Sequence, residues 1–225
     1  MSHYSGLFIA FEGGEGAGKS TQVRLLHGWL SANGVTARLT REPGATPVGE
    51  RIRAIVLDPS SSLTPRAEML LYAADRAQHV ETVLRPTLAA GGVVISDRYA
   101  DSSLAYQGAG RVLSMEQVQQ ASEWATGGLL PDLTVVLDID AATGLARAAQ
   151  HRDPDRIEQE SVGFHERVRA SFRRLAEADP DRYLVLDAAG PPDDLAAAVR
   201  DRLAPALRRL GEGHVDFPTA GARTP

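Results

Sequence analysis

The chain has 225 residues, 43% of them hydrophobic, no cysteine, and a formal charge of −5 from 29 acidic and 24 basic residues, all but Lys19 of the basic ones arginine. Without cysteine there are no disulfides, thiolate nucleophiles or cysteine-ligated metals; with one lysine there is no GTPase-type Asn-Lys-x-Asp motif, and no Schiff base except at position 19. The acidic balance argues against duplex nucleic acid as a partner, and the lack of a long apolar run or of a basic-then-apolar amino terminus argues for a cytoplasmic chain with no membrane partner.

In chain order, Leu7–Phe11 is a short apolar run expected of a strand buried on both faces. Glu12–Gly18 is too glycine-rich for helix or strand, and an amphipathic stretch from Lys19 to Leu30 follows it. Val35–Thr40 reads as a second strand, Val48–Leu57 as a helix, and Arg66–Ala89 as a long helix interrupted near Pro86. Within it, the apolar stretch Met69–Val83 suits either core or an interface. Val93–Ser96 reads as the third strand, Met115–Ala125 as a helix, Leu133–Leu137 as the fourth strand and Ala141–Gln150 as a helix. Helices at Gly163–Glu177 and Pro192–Leu210 flank a fifth strand at Tyr183–Leu186.

Strands alternating with helices imply parallel pairing through right-handed crossovers, hence an α/β fold with a five-stranded parallel sheet flanked by helices. Residues 1–210 read as one domain. The tail Gly211–Pro225, rich in Gly, Pro, Thr and Ala, reads as disordered.

The loop carries chemistry. Gly13-Gly14-Glu15-Gly16-Ala17-Gly18-Lys19-Ser20 fits the P-loop spacing of Gly, four residues, Gly, Lys and Ser or Thr, between a predicted strand and a predicted helix. Glycines let successive backbone N–H groups turn toward a phosphate chain, and the following helix adds its positive end. Lys19 is then placed for the β- and γ-phosphates, Ser20 for Mg2+ and Thr21 for the α-phosphate, with ATP as the donor. Arginine is too bulky for such a cradle, which accounts for lysine at this position alone. A P-loop specifies a nucleotide but no reaction.

After the third strand comes Asp97-Arg98-Tyr99. Asp97 either helps to hold Mg2+, through water, or caps the strand in an ion pair. Five more segments accompany it: Thr40-Arg41-Glu42-Pro43-Gly44, Gly49-Glu50-Arg51-Ile52-Arg53, Leu71 to Arg76, Ser102 to Gly108, and Asp155-Arg156-Ile157-Glu158.

In order and spacing from about Leu7 to Leu210, this set resembles the thymidylate kinase family, P-loop enzymes that phosphorylate dTMP to dTDP with ATP in dTTP biosynthesis. The resemblance implies a P-loop NTPase fold with a mobile lid, here about residues 147–157, and a homodimer. It implies Tyr72 stacked on thymine where the family usually has Phe, Arg76 at a thymine carbonyl, and Ser103 and Gln107 at the base edge. It places Tyr106 against the ribose 2′ position, Arg53 and Arg98 on the acceptor phosphate, and Glu15 near the 3′-hydroxyl. Lys19, Arg98, Glu15 and a lid arginine, taken as Arg152, are the implied catalytic group. The P-loop has no arginine, and Arg147, His151 and Arg156 compete with Arg152 for the lid role. The six histidines show no metal-ligand spacing, so Mg2+ is expected only through the nucleotide, Ser20 and Asp97.

Overall fold

The computed structural model describes residues 5–110, 113–150 and 153–211. The tail read from sequence falls outside these residues except for Gly211. Strand β1 (Leu7–Gly13) is buried at every position, as a continuous apolar run requires when neighbours and helices surround it. It pairs in parallel with β3 (Val93–Asp97) on one side and β4 (Leu133–Asp138) on the other. With β2 (Ala37–Arg41) and β5 (Tyr183–Asp187) at the edges, the parallel sheet has the order β2-β3-β1-β4-β5.

Side chains alternate across a pleated strand, and the core divides accordingly. Leu7, Ile9 and Phe11 join Ile95, Val135 and Leu137 under α1 (Lys19–Ala32) and α9 (Pro192–Gly211). Phe8, Ala10 and Val94 face the opposite side, where Val80, Leu84 and Leu88 cover them. Because every strand runs the same way, Gly13, Arg41, Asp97, Asp138 and Asp187 end on one edge. The chain winds from β1 out to β2 and back, then crosses to β4, and that reversal opens a crevice at the carboxyl end of β1.

The helices begin where capping chemistry allows. Thr46 Oγ1 accepts the Gly49 N–H at 2.9 Å and Pro47 starts α2 (Pro47–Leu57); Thr64 and Pro65 do the same for α3 (Pro65–His79). Proline suits the first helical position because its missing N–H would have no partner there, so both helices begin one residue earlier than periodicity alone implies.

The long helix is interrupted before Pro86: Val80–Leu84 is a π-helical turn in which the Arg85 N–H reaches the Val80 carbonyl, before α4 (Arg85–Ala89). Widening this turn absorbs the missing N–H of Pro86 and the crowding of its ring against the previous turn. Met69, Ala73, Val80 and Val83 are buried, which makes that stretch mainly core, although Leu70 is 54% exposed.

The sequence reading has no element between Tyr99 and Gly110, yet α5 (Ala100–Ser103) continues into a π-helical segment, Leu104–Gly110. Its serines and glycines are weak helix formers. Tertiary packing overrides them: the Tyr106 ring sits 6.2 Å from both Phe164 and Phe172 of α8 (Val162–Ala178). The remaining helices are α6 (Met115–Thr126) and α7 (Ala141–Ala149). Among the described residues no helix is long and apolar enough to cross a membrane.

Candidate active site

The loop after β1 lies in the crevice. Gly13 and Gly16 have φ of 135° and 63°, and a Cβ on either would stand 2.4 Å from the Leu137 carbonyl oxygen or 2.0 Å from that of Gly144. The loop is thus seated backbone against backbone on β4 and α7, a fit only glycine permits. Lys19 is buried and its Nζ donates to the carbonyls of Gly13 at 3.1 Å and Gly14 at 2.6 Å. Burial, with Arg98 nearby, pushes its pKa below the usual lysine value. Ser20 Oγ donates to Asp97 Oδ2 at 2.8 Å, so a hydroxyl and a carboxylate meet beside the loop.

One cavity contains the loop from Glu15 to Thr21 together with Arg41, Glu42, Arg53, Asp97, Arg98 and Arg147. Past Thr21 it adjoins a second hollow between Gln22, Arg147 and residues 188–192. There Arg147 Nη1 donates to the Ala188 carbonyl at 3.0 Å and Gln22 Nε2 to that of Pro192 at 2.8 Å.

Arg98 marks the boundary with a further cavity. It is the one non-glycine residue with positive φ among the described residues, at 73°. Such a conformation costs on the order of 1 kcal/mol and persists where surrounding bonds hold it. Glu12, fully buried on β1, accepts the N–H groups of Tyr99 and Ser102 through Oε1 and the Ser102 hydroxyl through Oε2, at 2.8, 3.2 and 2.6 Å. The guanidinium of Arg98 thereby reaches Gly13 O at 3.1 Å, Ser102 Oγ at 3.2 Å and Glu15 Oε1 at 2.8 Å, and lies 5.0 Å from the Tyr106 ring centre. Tyr106 donates its hydroxyl to the same Glu15 oxygen at 2.8 Å. Burial pushes the Glu15 carboxyl up, but Arg98, Lys19 and Tyr106 outweigh it and hold the group at about 2.

Glu12 behaves oppositely, its carboxyl raised to about 7 by burial and by Asp101. An acid raised in the folded state contributes stability below its unfolded pKa and loses it as pH rises through the folded value. Between about pH 5 and pH 8 the wild-type chain should lose on the order of 3 kcal/mol from this group. Glu12→Gln, which has the same shape, keeps an oxygen for the Tyr99 and Ser102 N–H groups and does not titrate, should abolish that loss in urea titrations across this range. Parallel wild-type and variant curves would refute the assignment.

The further cavity is lined by Glu15, Glu42, Pro43, Arg53, Leu57, Tyr72, Arg76, Arg98, Ser102, Ser103, Tyr106, Gln107, Asp155 and Ile157. Every acceptor-side residue named from the sequence lies in it. Arg76, 1% exposed, donates Nε to Glu42 Oε2 at 2.8 Å, Nη1 to Ser103 Oγ at 3.0 Å and Nη2 to the Tyr99 carbonyl at 3.1 Å. His79 bridges Glu42 Oε1 and Thr40 Oγ1 at 2.8 and 2.7 Å, so Glu42 holds a fixed position beneath Arg76. Arg53 Nη1 donates to the Pro43 carbonyl at 2.9 Å, and Arg53 lines both this cavity and that of the loop.

The thymidylate kinase family model matches residues 11–199. Proteins described as thymidylate kinase are similar along most of the chain. That of Clavibacter michiganensis subsp. michiganensis is 56% identical over 200 residues, covering 88% of this chain and 94% of the relative. That of Deinococcus radiodurans is 56% identical over 194 residues, covering 86% and 94%. That of Thermosynechococcus vestitus is 46% identical over 231 residues, covering 98% and 96%.

The chain belongs to the thymidylate kinase family.

Within this thymidylate kinase family member, the lid reading divides. His151 and Arg152 lie outside the described residues. Arg147 sits on α7 against Ala188, beside the loop. Arg156 points elsewhere: its Nε donates to the Val56 carbonyl at 2.8 Å and its guanidinium lies 2.6 Å from Glu68 Oε2. Sequence reasoning missed the supporting carboxylates Glu12, Glu42 and Glu68 and the 188–192 wall. The available signs were that Glu42 lies within the segment Thr40–Gly44 and that Glu12 directly precedes the P-loop.

Proposed function

We propose that the chain transfers the γ-phosphoryl group of ATP to the 5′-phosphate of dTMP, giving dTDP and ADP. One observation carries this reading: Glu15, Glu42, Arg53 and Arg98 line both the P-loop cavity and the acceptor cavity, so the two open onto one another where phosphoryl transfer needs them to meet. An oxygen of the acceptor phosphate forms the new bond to the γ-phosphorus as the bond to the β–γ bridging oxygen breaks, the electron pair leaving with ADP. The acceptor oxygen is already anionic, so positioning and charge neutralisation dominate.

Lys19, now occupied by loop carbonyls, would turn to the β- and γ-phosphates, with Ser20 and Thr21 beside the chain of phosphates and the donor base in the hollow past Thr21. Arg53 and Arg98 would hold the acceptor phosphate, and Arg152 would approach from the lid. The Ser20 hydroxyl and Asp97 carboxylate are hard oxygen donors that suit Mg2+, Asp97 through water. When bound, Mg2+ neutralises phosphate charge. Tyr72 would stack on thymine, Arg76, Ser103 and Gln107 would meet its edge, Tyr106 would crowd a 2′-hydroxyl, and Glu15, ionised at neutral pH, would accept from the 3′-hydroxyl. A cytoplasmic homodimer completes the proposal; Leu70 and Trp124, exposed on the adjacent helices α3 and α6, support an interface there.

The test compares dTMP, dUMP, dCMP, dGMP and AMP as acceptors by product formation. dTMP should give the highest kcat/KM. ATP binding with no dTDP formed, or AMP turned over as well as dTMP, would sink the assignment.

A further inference from the structure

Glu68 lies on α3 one turn before Tyr72, and its side chain is only 1% exposed. Gln107 Nε2 donates to its Oε1 at 2.9 Å, and the Arg156 guanidinium stands 2.6 Å from its Oε2. Gln107 lines the acceptor cavity, and so do Asp155 and Ile157 on either side of Arg156. Arg156 is also tied to the end of α2, through the Val56 carbonyl at 2.8 Å and through its own N–H to the Leu57 carbonyl at 3.1 Å. One buried carboxylate therefore joins the wall of the acceptor cavity to the root of the lid.

We infer that Glu68 is a positioning residue that decides which end of the Gln107 carboxamide meets the acceptor base; the inference rests on the dTMP reading above. An ionised carboxylate accepts hydrogen bonds and donates none, so the amide nitrogen turns to Glu68 and Oε1 is left for the cavity. Arg76, in the same cavity, has only donors to offer. Together they suit a pyrimidine edge with a carbonyl beside an N–H, which is the imide edge of thymine or uracil. Cytosine, with an amino donor beside a ring acceptor, is wrong at both atoms. Arg156 occupies the second Glu68 oxygen and so fixes the carboxylate that orients Gln107.

Glu68→Gln keeps the shape and tests the direction. Arg156 has only donors, so the introduced amide turns its oxygen to Arg156 and its nitrogen to Gln107. Gln107 must then accept that bond and present its N–H groups to the base. The dTMP KM should rise about tenfold or more and the dTMP-to-dCMP ratio of kcat/KM should fall about a hundredfold, with the ATP KM within about twofold of wild type. In Glu68→Gln/Arg156→Met the introduced amide is free to turn its oxygen back to Gln107, and most of the selectivity should return. A folded Glu68→Gln variant with an unchanged ratio, or no recovery in the double variant, overturns the inference. Should Glu68→Gln not fold, Glu68→Met removes the orienting acceptor; its dTMP KM should again rise about tenfold, and an unchanged KM overturns the inference. A wild-type chain inert toward dTMP would instead refute the functional reading, so the two failures are distinguishable.

Discussion

Replacing Lys19 by alanine is expected to lower dTMP turnover by about a thousandfold or more, the effect usual when a preorganised charge is removed from a water-poor site. Lys19 Nζ is held by two loop carbonyls, Gly13 O at 3.1 Å and Gly14 O at 2.6 Å. The ammonium is thereby kept within the loop, and burial in company with Arg98 lowers its pKa. Arginine is no substitute: its wide planar fork cannot enter a space sized for a compact ammonium, so Lys19→Arg should fail nearly as badly. Release of ADP coupled to dTDP formation measures both variants, with thermal melting to show that they fold. Near wild-type turnover in Lys19→Ala would contradict the P-loop assignment, and near wild-type turnover in Lys19→Arg would contradict the account of why this single lysine persists among 24 basic residues.

The second large effect is at Arg76. Its guanidinium is buried and ties together Glu42 of the loop after β2, Ser103 of α5 and the Tyr99 carbonyl. Arg76→Ala leaves Glu42 buried without its guanidinium, with the His79 ring as its remaining side-chain partner among the described residues, and losing one member of such a pair costs about 3–5 kcal/mol. On the reading proposed above it also removes donors for the acceptor base while leaving the P-loop untouched. The dTMP KM is therefore expected to rise about a hundredfold while the ATP KM stays within about threefold, since leaving a buried polar group of the ligand unpaired carries the full desolvation penalty. Arg76→Lys separates the two roles: it restores charge near Glu42 without the planar fork, so stability should recover more than dTMP affinity does. Equal rises in both KM values for Arg76→Ala would show that the residue supports the whole site and not the base.

The features legible in sequence are those written in neighbouring residues. The unbroken apolar run Leu7 to Phe11, the glycines and Lys19 of the loop, and the helical apolar spacing of α1, α6 and α8 are set by sterics and burial over a few residues, and the structure reproduces them within one to three residues. The residues that the family resemblance names for the acceptor line one cavity; neither composition nor periodicity gathers Arg53, Tyr72, Arg98 and Gln107 from four different segments into it. The segment after Tyr99 was illegible, because its helical state comes from packing against Phe164 and Phe172, more than fifty residues onward.

By itself, then, the sequence determined the alternating strands and helices, the phosphate cradle and the scarcity of lysine outside it, since each depends on local geometry or on composition. Only the tertiary structure decided what the carboxylates do. Glu12, Glu42 and Glu68 are ordinary members of a set of 29 acidic residues until the strand order brings Ser102, Arg76 and Arg156 against them. A charge becomes specific when burial strips its water and leaves it a few fixed partners, and which partners those are depends on contacts between segments far apart in the chain.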